Sequence, residues 1–338
     1  MGIKCLTYLI KQKCNDSCIE TKKLYELSGS TIAIDASLFM YQSLINIRRG
    51  GDILENTNGD QVSHIIGIFN KTLNLLSLNI KPIYIFDGKP PVEKKEIINN
   101  RKKIASDCKD KIKGETDISK INALKKKTVR LTSKHVDDIK NLLNLMGVSY
   151  IHMDGEAEGL ASELCRIGYV DYIMTEDMDS LVFGCTNLVR KCIDPNIKIK
   201  DSISIFNLEK ILNCLNITYN QFVELCILCG CDYCSSIPKI GSITAYKLIK
   251  AYDNIDKIIE YNNKNNKYNI PDDYLEKFNV AKTLFNIFYD KINKEDIVIH
   301  NSDINYEGLA KYMVEYVNIH VSKYNISMNK LKNSIKKY

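Results

Sequence analysis

The chain has 338 residues, 45% of them hydrophobic and 26% charged, which is enough to bury a large core in one elaborated domain or two. Its formal charge of +6 is mildly basic and suits an acidic partner. No apolar run approaches the roughly 18 residues that span a bilayer, and Lys4, Lys11 and Lys13 break up any signal-like N-terminal stretch. Twelve cysteines scattered through a long chain do not form the dense frame of a small secreted domain. A soluble, intracellular protein with no membrane partner is expected.

In chain order, Ile3, Leu6, Leu9 and Ile10 predict a short amphipathic helix over Met1 to Gln12. Thr31 to Ile34 is an apolar strand-like run that stops at Asp35, and Ala36 to Arg49 has a helical pattern. Tyr41 on that helix fits either core packing or a platform for base stacking. After a turn at Gly50-Gly51, Ser63 to Leu78 is predicted helical. Lys81 to Phe86 is then a second apolar run, stopping at Asp87.

Past Gly88-Lys-Pro-Pro91 the character changes. From Lys94 to Lys134 there are 14 Lys or Arg against 5 Asp or Glu, with Gly114 interrupting two predicted mobile helices that would order on substrate. A solvated loop would look the same. However, the excess follows directly on Asp87, and Lys94 and Arg101 lie two helix turns apart on one face. Such a basic helix could clamp a phosphate and stabilise its developing charge.

Val136 to Met146 is a predicted helix and Val148 to His152 a short strand, leading to Glu156 and Glu158 just before a helix-like segment from Gly159 to Gly168. Val170 to Met174 is a third strand-like run, ending in Glu176, Asp177 and Asp179. One acidic turn is ordinary on a surface. Three apolar runs each ending in acid fit parallel strands whose C-terminal ends share the ligand-binding edge of an α/β sheet. Collected carboxylates repel one another, and a hard divalent cation reverses that balance. Asp232, after the apolar helix Gln221 to Cys229, completes a candidate set of seven.

Cys226, Cys229, Cys231 and Cys234 could be mistaken for a zinc knuckle. Their spacing places Cys226 and Cys229 on one apolar helix face, where free cysteine packs as a small hydrophobe. Ser202 to Phe206 reads as extended and Leu208 to Leu215 as helical. Ser235 to Gly241 is a tight turn between Gln221–Cys229 and a helix over Ser242 to Tyr252, an arrangement that can present backbone N–H groups to phosphate or serve as plain packing. The tail alternates Asn/Lys-rich loops with helices and ends in a basic helix, Met328 to Lys337.

Asp35 in IAIDAS, Asp87 in FDGKPP, the pair in GEAEG, TEDMDS and LCILCGCDYC resemble the motifs of the flap endonucleases, the structure-specific 5′ nucleases of replication and repair. The similarity runs in matching order from Met1 to about Ile249, and FDGKPP followed by Lys94 and Arg101 discriminates within the superfamily. It implies a PIN-like α/β fold: a central, parallel-dominated twisted sheet flanked by helices, with a basic helical arch and a helix-two-turn-helix. The implied layout is nuclease regions at 1–107 and 135–219, an arch at 108–134, a duplex-binding region at 220–255 and packing helices at 256–338.

The resemblance also implies two Mg²⁺ ions, with Mn²⁺ able to substitute. Asp35, Asp87, Glu156 and Glu158 would serve one ion, and Asp177, Asp179 and Asp232 the other. Lys94 and Arg101 would contact the scissile phosphate, with Asp179 grouped among the catalytic residues, and Tyr41 would stack on the terminal base. Ser236, Ile237, Ile240 and Gly241 fall where the family binds K⁺ and the downstream duplex, and Leu54 and Lys311 near its one-nucleotide 3′-flap pocket. The implied activity is Mg²⁺-dependent incision at the base of a 5′ flap, with 5′→3′ exonuclease action. The alternatives are a mainly exonucleolytic repair nuclease and a junction-binding module without catalysis.

Three departures stand out. Cys5 replaces a usual glycine, and Pro238-Lys239 and Ser242-Ile-Thr244 depart from the duplex-gripping pattern, with fewer phosphate-neutralising charges to support affinity. No Gln-x-x-hydrophobe-x-x-aromatic-aromatic box for a sliding clamp precedes Tyr338, which counts against a clamp partner, and, separately, a monomer is expected. The location implied is nuclear, or a viral replication site.

Overall fold

Ile32, Ala33 and Ile34 are completely buried, and so are Tyr84 and Ile85. An unbroken apolar run can bury both faces only inside a parallel-type arrangement with helices on either side. Burying each large apolar side chain contributes roughly 1.5–3 kcal/mol. These two runs form the centre of one of two compact units in a computed structural model that describes residues 2–14, 18–152, 155–194, 201–286 and 299–335. One unit comprises Met1–Glu26 and Glu158–Asp296, the other Leu27–Ala157 and Ile297–Tyr338.

The chain begins with helix α1 (Leu6–Lys13), whose Leu6, Leu9 and Ile10 are buried as their spacing requires, and continues into strand β1 (Ile19–Lys23). Strand β2 (Thr31–Asp35) leads into α2 (Ala36–Asn46), with Asp35 as N-cap accepting a 3.0 Å hydrogen bond from the Leu38 backbone N–H. The helix stops at Asn46 and not at Arg49 as its pattern predicts. Arg48–Arg49 (β3) instead pairs with Asp52–Ile53 (β4) around Gly50 and Gly51, both at positive φ. Helix α3 (Ser63–Ser77) packs on α2, and strand β5 (Lys81–Phe86) comes after it.

A single 3-10 turn, Val92–Lys94, precedes the long basic helix α4 (Lys95–Gly114). The second basic helix, α5 (Ile118–Lys127), starts at Asp117, whose carboxylate accepts from the Ser119 and Lys120 N–H groups at 2.8 and 3.3 Å. Thr132 and His135 form a capping box at α6 (Ser133–Met146), and Gly147 ends it in the left-handed region. Strand β6 (Tyr150–His152) is next, and Met153 and Asp154 lie outside the described residues.

Helix α7 (Ala157–Arg166) and strand β7 (Tyr172–Met174) lead to the short α8 (Asp179–Val182) and strands β8 (Asn187–Lys191) and β9 (Ser202–Asn207). Helices α9 (Leu208–Leu215), α10 (Tyr219–Cys229), α11 (Ser242–Tyr252), α12 (Ile255–Asn265) and α13 (Tyr274–Asn286) complete that half. Helix α10 begins at Tyr219, two residues before its expected start at Gln221, because Thr218 and Gln221 make a capping box. Strand β10 (Ile299–His300), α14 (Tyr306–Lys311) and α15 (Val321–Ile335) close the chain. The last residues of the predicted basic tail helix lie outside the described residues.

The architecture is mixed α/β, with strands flanked by helices. In the unit beginning at Leu27, β2 runs parallel to β5 with Asp35 opposite Ile85. Strand β5 runs parallel to β6 with Phe86 opposite His152, and β10 lies antiparallel on the far edge of β6. In the unit containing Glu158, β7 is parallel to β8, while β8–β9 and β9–β1 are antiparallel. Parallel pairing therefore dominates around Asp35 and Asp87, and the strands beyond β7 are mixed. Among the described residues no helix is long and apolar enough to cross a membrane.

Candidate metal centre

Parallel register makes Asp35, Asp87 and Glu156 neighbours along one edge. Asp35 is the last residue of β2, Asp87 the first beyond β5, and Glu156 comes after β6. Asp87 accepts a 2.9 Å hydrogen bond from the Ala157 N–H, one residue beyond Glu156. The Gly88 N–H donates to the Gly155 carbonyl at 2.9 Å, which ties the two acid-bearing loops together. Glu156 forms an ion pair with Lys94, and both side chains are largely buried.

In the other unit, oxygens of Glu158, Asp177 and Asp179 all lie within 4.8 Å of one another. Asp177 and Asp179 flank the start of α8, and the Asp179 N–H donates to Asp177 at 3.2 Å. Glu176, adjacent in sequence, points elsewhere. It accepts from the Lys191 N–H at 3.0 Å and faces Arg190 at 3.5 Å on β8. Hydrogen bonding thus separates a structural acid from two that gather with Glu158. Half-buried Asp232 lies just past α10 beside Cys231, whose thiol is pushed up to about 12 by burial, with the charge of Asp179 adding to the effect.

Gly2 supplies a feature that residue spacing did not reveal. It adopts φ +79°, and a Cβ placed there would sit 1.8 Å from one Asp177 oxygen and 2.6 Å from an Asp179 oxygen. The N-terminal segment is held in place by the Lys4 N–H, which donates to the Gly230 carbonyl at 3.1 Å. Only a residue without a side chain leaves these carboxylates where they are. An all-oxygen donor set of like charge, with space kept beside it, fits a hard divalent cation.

Helices α4 and α5 carry the basic excess. Lys94 is half-buried at the foot of α4 and Arg101 exposed two turns on, its carbonyl accepting from Arg130. Helix α5 rests on the β3–β4 hairpin, where Lys125 pairs with Asp52 at 2.6 Å and Asn122 fills the space a Cβ on Gly51 would need. Beneath lies a groove of about 810 Å³ lined by Arg48, Lys109, Lys125, Arg130 and Lys134 among others. Ile53 and Glu55 line it on either side of Leu54, whereas Lys311, at the end of α14, is exposed and not among the lining residues. Tyr41 is half-buried on α2 and outside that helix's buried set.

The turn between α10 and α11 buries Ile237 and Ile240 and leaves Ser236 half-buried, so the two isoleucines can offer only backbone to a ligand. Gly241 is the N-cap of α11, with open space where a Cβ would go. Lys239 takes φ +68°. Cys226, Cys229, Cys231 and Cys234 are all buried and, among the described residues, do not converge on a common ion. They pack as small hydrophobes.

Residues 1–108 match the XPG N-terminal domain and residues 147–232 the XPG I-region. Flap endonuclease 1-B of Physcomitrium patens is 39% identical over 330 residues, spanning 93% of this chain and 90% of that protein. Flap endonuclease 1 of Glycine max is 41% identical over 318 residues, spanning 93% and 82%. The structure of flap endonuclease-1 from Methanococcus jannaschii superposes with TM-score 0.70 at 26% identity, covering 94% of this chain and 96% of that one. The catalytic core of Rad2 in complex with DNA substrate shares the fold, with TM-score 0.72 at 22% identity over 98% and 100% of the two chains.

Proposed function

We propose, for a chain that belongs to the XPG family and within it to the flap endonucleases, that seven carboxylates hold two Mg²⁺ ions for cutting DNA at the base of a 5′ flap. The protein is a structure-specific 5′ flap endonuclease of replication and repair and a metal-dependent DNA hydrolase. The convergence of Glu158, Asp177 and Asp179 carries the assignment of the ions. Glu158, expected with Asp35, Asp87 and Glu156, gathers instead with Asp177 and Asp179, so one ion falls to these three acids with Asp232, and the second to Asp35, Asp87 and Glu156. Mn²⁺ can replace either. When bound, the ions supply a nucleophilic hydroxide at neutral pH and neutralise charge on the leaving oxygen.

The chain's own residues do the rest. Lys94 exchanges Glu156 for a phosphate oxygen, and Arg101 on the same face adds a second cation, so charge developing on the phosphate meets fixed positive charge. Tyr41 offers a ring to the terminal base. Backbone groups of Ser236, Ile237 and Ile240, with Gly241, hold K⁺ and a duplex phosphate. Leu54 and Lys311 are assigned to the 3′ flap. On this reading regions 1–107 and 135–219 carry the chemistry, 108–134 the arch, 220–255 the duplex grip and 256–338 the packing helices. The enzyme acts as a monomer, also trims nicks and gaps 5′→3′, and works in the nucleus or at a viral replication site.

The test is cleavage of end-labelled double-flap, nicked and blunt duplexes with Mg²⁺ or EDTA, comparing wild type with Asp179→Asn. Mg²⁺-dependent incision at the flap base, lost in the variant while junction binding survives, is expected. Trimming of blunt duplex with no flap preference would replace this reading with an exonuclease. Tight binding without incision under any divalent metal would end the catalytic assignment.

A further inference from the structure

Helix α1 ends at Cys14, its C-cap, and Cys18 immediately precedes β1. Cys214 lies in the last turn of α9, some 200 residues away in sequence. The fold brings their three sulfurs within 4.8 Å of one another, with no carboxylate or imidazole in the group. Cys18 is buried, whereas Cys14 and Cys214 are half-exposed and reachable from solvent. Two of the sulfur protons are directed at backbone: Cys18 donates to the Lys210 carbonyl at 3.2 Å and Cys214 to the Lys13 carbonyl at 3.5 Å.

Simple apolar packing explains Cys226, Cys229, Cys231 and Cys234, which are buried without converging. It does not explain three thiols that converge where solvent can reach two of them. Zinc–thiolate bonds of about 2.3 Å in tetrahedral geometry separate sulfurs by roughly 3.8 Å, so closing on an ion requires movements of about 1 Å or less. Burial, then the hydrogen bond with Cys214 and the charge of Cys18, push the Cys14 thiol well up.

We propose that Cys14, Cys18 and Cys214 form a three-thiolate site for a soft cation of the zinc type, with its fourth position completed from solvent. On binding, each thiol gives up its proton as its sulfur–metal bond forms, with no change in oxidation state. Sulfur and oxygen donors sort the ions: the thiolates select the soft cation, and the carboxylates of Asp177 and Asp179 the hard one. The site would clasp the far end of α1 to α9. The near end of the same segment is where Gly2 lies against Asp177.

The test uses the full chain, reduced and desalted with one equivalent of Zn²⁺, and separately with Co²⁺ as an optical reporter. Expected are one Zn²⁺ retained per chain by elemental analysis, a raised melting temperature, and a thiolate-to-cobalt charge-transfer band. Cys14→Ser, Cys18→Ser and Cys214→Ser should each abolish the band, whereas Asp179→Asn should keep it, separating this site from the carboxylate centre. A band lost in Cys226→Ala but kept in Cys14→Ser would overturn the assignment. So would no retained zinc, or a Cys14–Cys214 disulfide forming in air in place of metal retention.

Discussion

Gly2 and Asp177 are in contact at a point where a single methyl group cannot be inserted: a Cβ on Gly2 would stand 1.8 Å from the Asp177 carboxylate. Gly2→Ala must therefore either swing Asp177 away from Glu158 and Asp179 or dislodge the N-terminal segment from Gly230. Its positive φ adds a backbone cost of about 1 kcal/mol. Loss of most flap cleavage, with flap binding in EDTA unchanged, is expected from paired cleavage and gel-shift assays. Unaltered cleavage would show that the carboxylates do not need this space.

Like charges at Glu158, Asp177 and Asp179 destabilise the metal-free protein. Asp177→Asn should raise its melting temperature in EDTA and remove the further rise that Mg²⁺ gives wild type. Cleavage should fall by about three orders of magnitude, the rate equivalent of several kcal/mol of lost charge stabilisation. Calorimetry with and without Mg²⁺ measures the first effect and single-turnover cleavage the second.

Lys94 is bound to Glu156 before substrate arrives. Removing it should cost transition-state stabilisation more than binding, so Lys94→Ala should lower kcat about 100-fold with little change in KM. Lys94→Arg should retain part of the activity, because a guanidinium also carries the charge but places it differently. Equal loss in KM alone would make Lys94 a uniform phosphate contact.

Cys5 is exposed at φ +56° and ψ +16°, and Lys239 lies at φ +68°. Left-handed backbone costs an L-residue about 1–2 kcal/mol, partly offset in glycine by its freer unfolded chain. Cys5→Gly should thus stabilise the protein by roughly 0.5–1 kcal/mol, measurable by urea denaturation. No gain would mean that local contacts of Cys5 already compensate.

Burial, and then neighbouring His64, push His135 down to about 4. Its ring accepts from the Thr132 N–H at 3.2 Å and meets Gln61 at 3.1 Å, which fits a neutral ring capping α6. The unfolded chain takes up this proton near the ordinary value of 6.5, while the folded state resists it until about 4. His135 therefore supports stability fully above 6.5 and loses that contribution as pH falls towards 4. His135→Gln keeps an acceptor for the cap without titrating, so its melting temperature should fall less steeply across that window.

The places of Asp35, Asp87 and Asp177/Asp179 past strand ends were legible because burial of a strand shows as an apolar run and its end as the acid that follows. Glu176 could not be told from Asp177 that way: its fate is decided by pairing with Lys191 on β8, a non-local contact. The same limit hid Gly2, the His64–His135 pair and the three thiols, all set by chain segments far apart in sequence. Lys94 looked like the first turn of a helix but lies in a 3-10 turn, since Pro90 and Pro91 delay regular hydrogen bonding. Cys5 was visible as a departure from a pattern, and its left-handed backbone gives that departure a physical meaning.

Neither compact unit is drawn from one continuous stretch of chain: Met1–Glu26 belongs with Glu158–Asp296, and Leu27–Ala157 with Ile297–Tyr338. During synthesis Met1–Glu26 is made well before its companions, and β10, α14 and α15 reach the other unit after all its other described elements. Folding must wait for distant sequence, a cost in loop closure that slows assembly and exposes apolar strands meanwhile. A nascent chain halted near Asn286 would hold every proposed metal ligand yet lack the β10 edge strand and the α15 cover over α3. Translation through α15 is therefore what supplies this cover, long after Asp232 has been made.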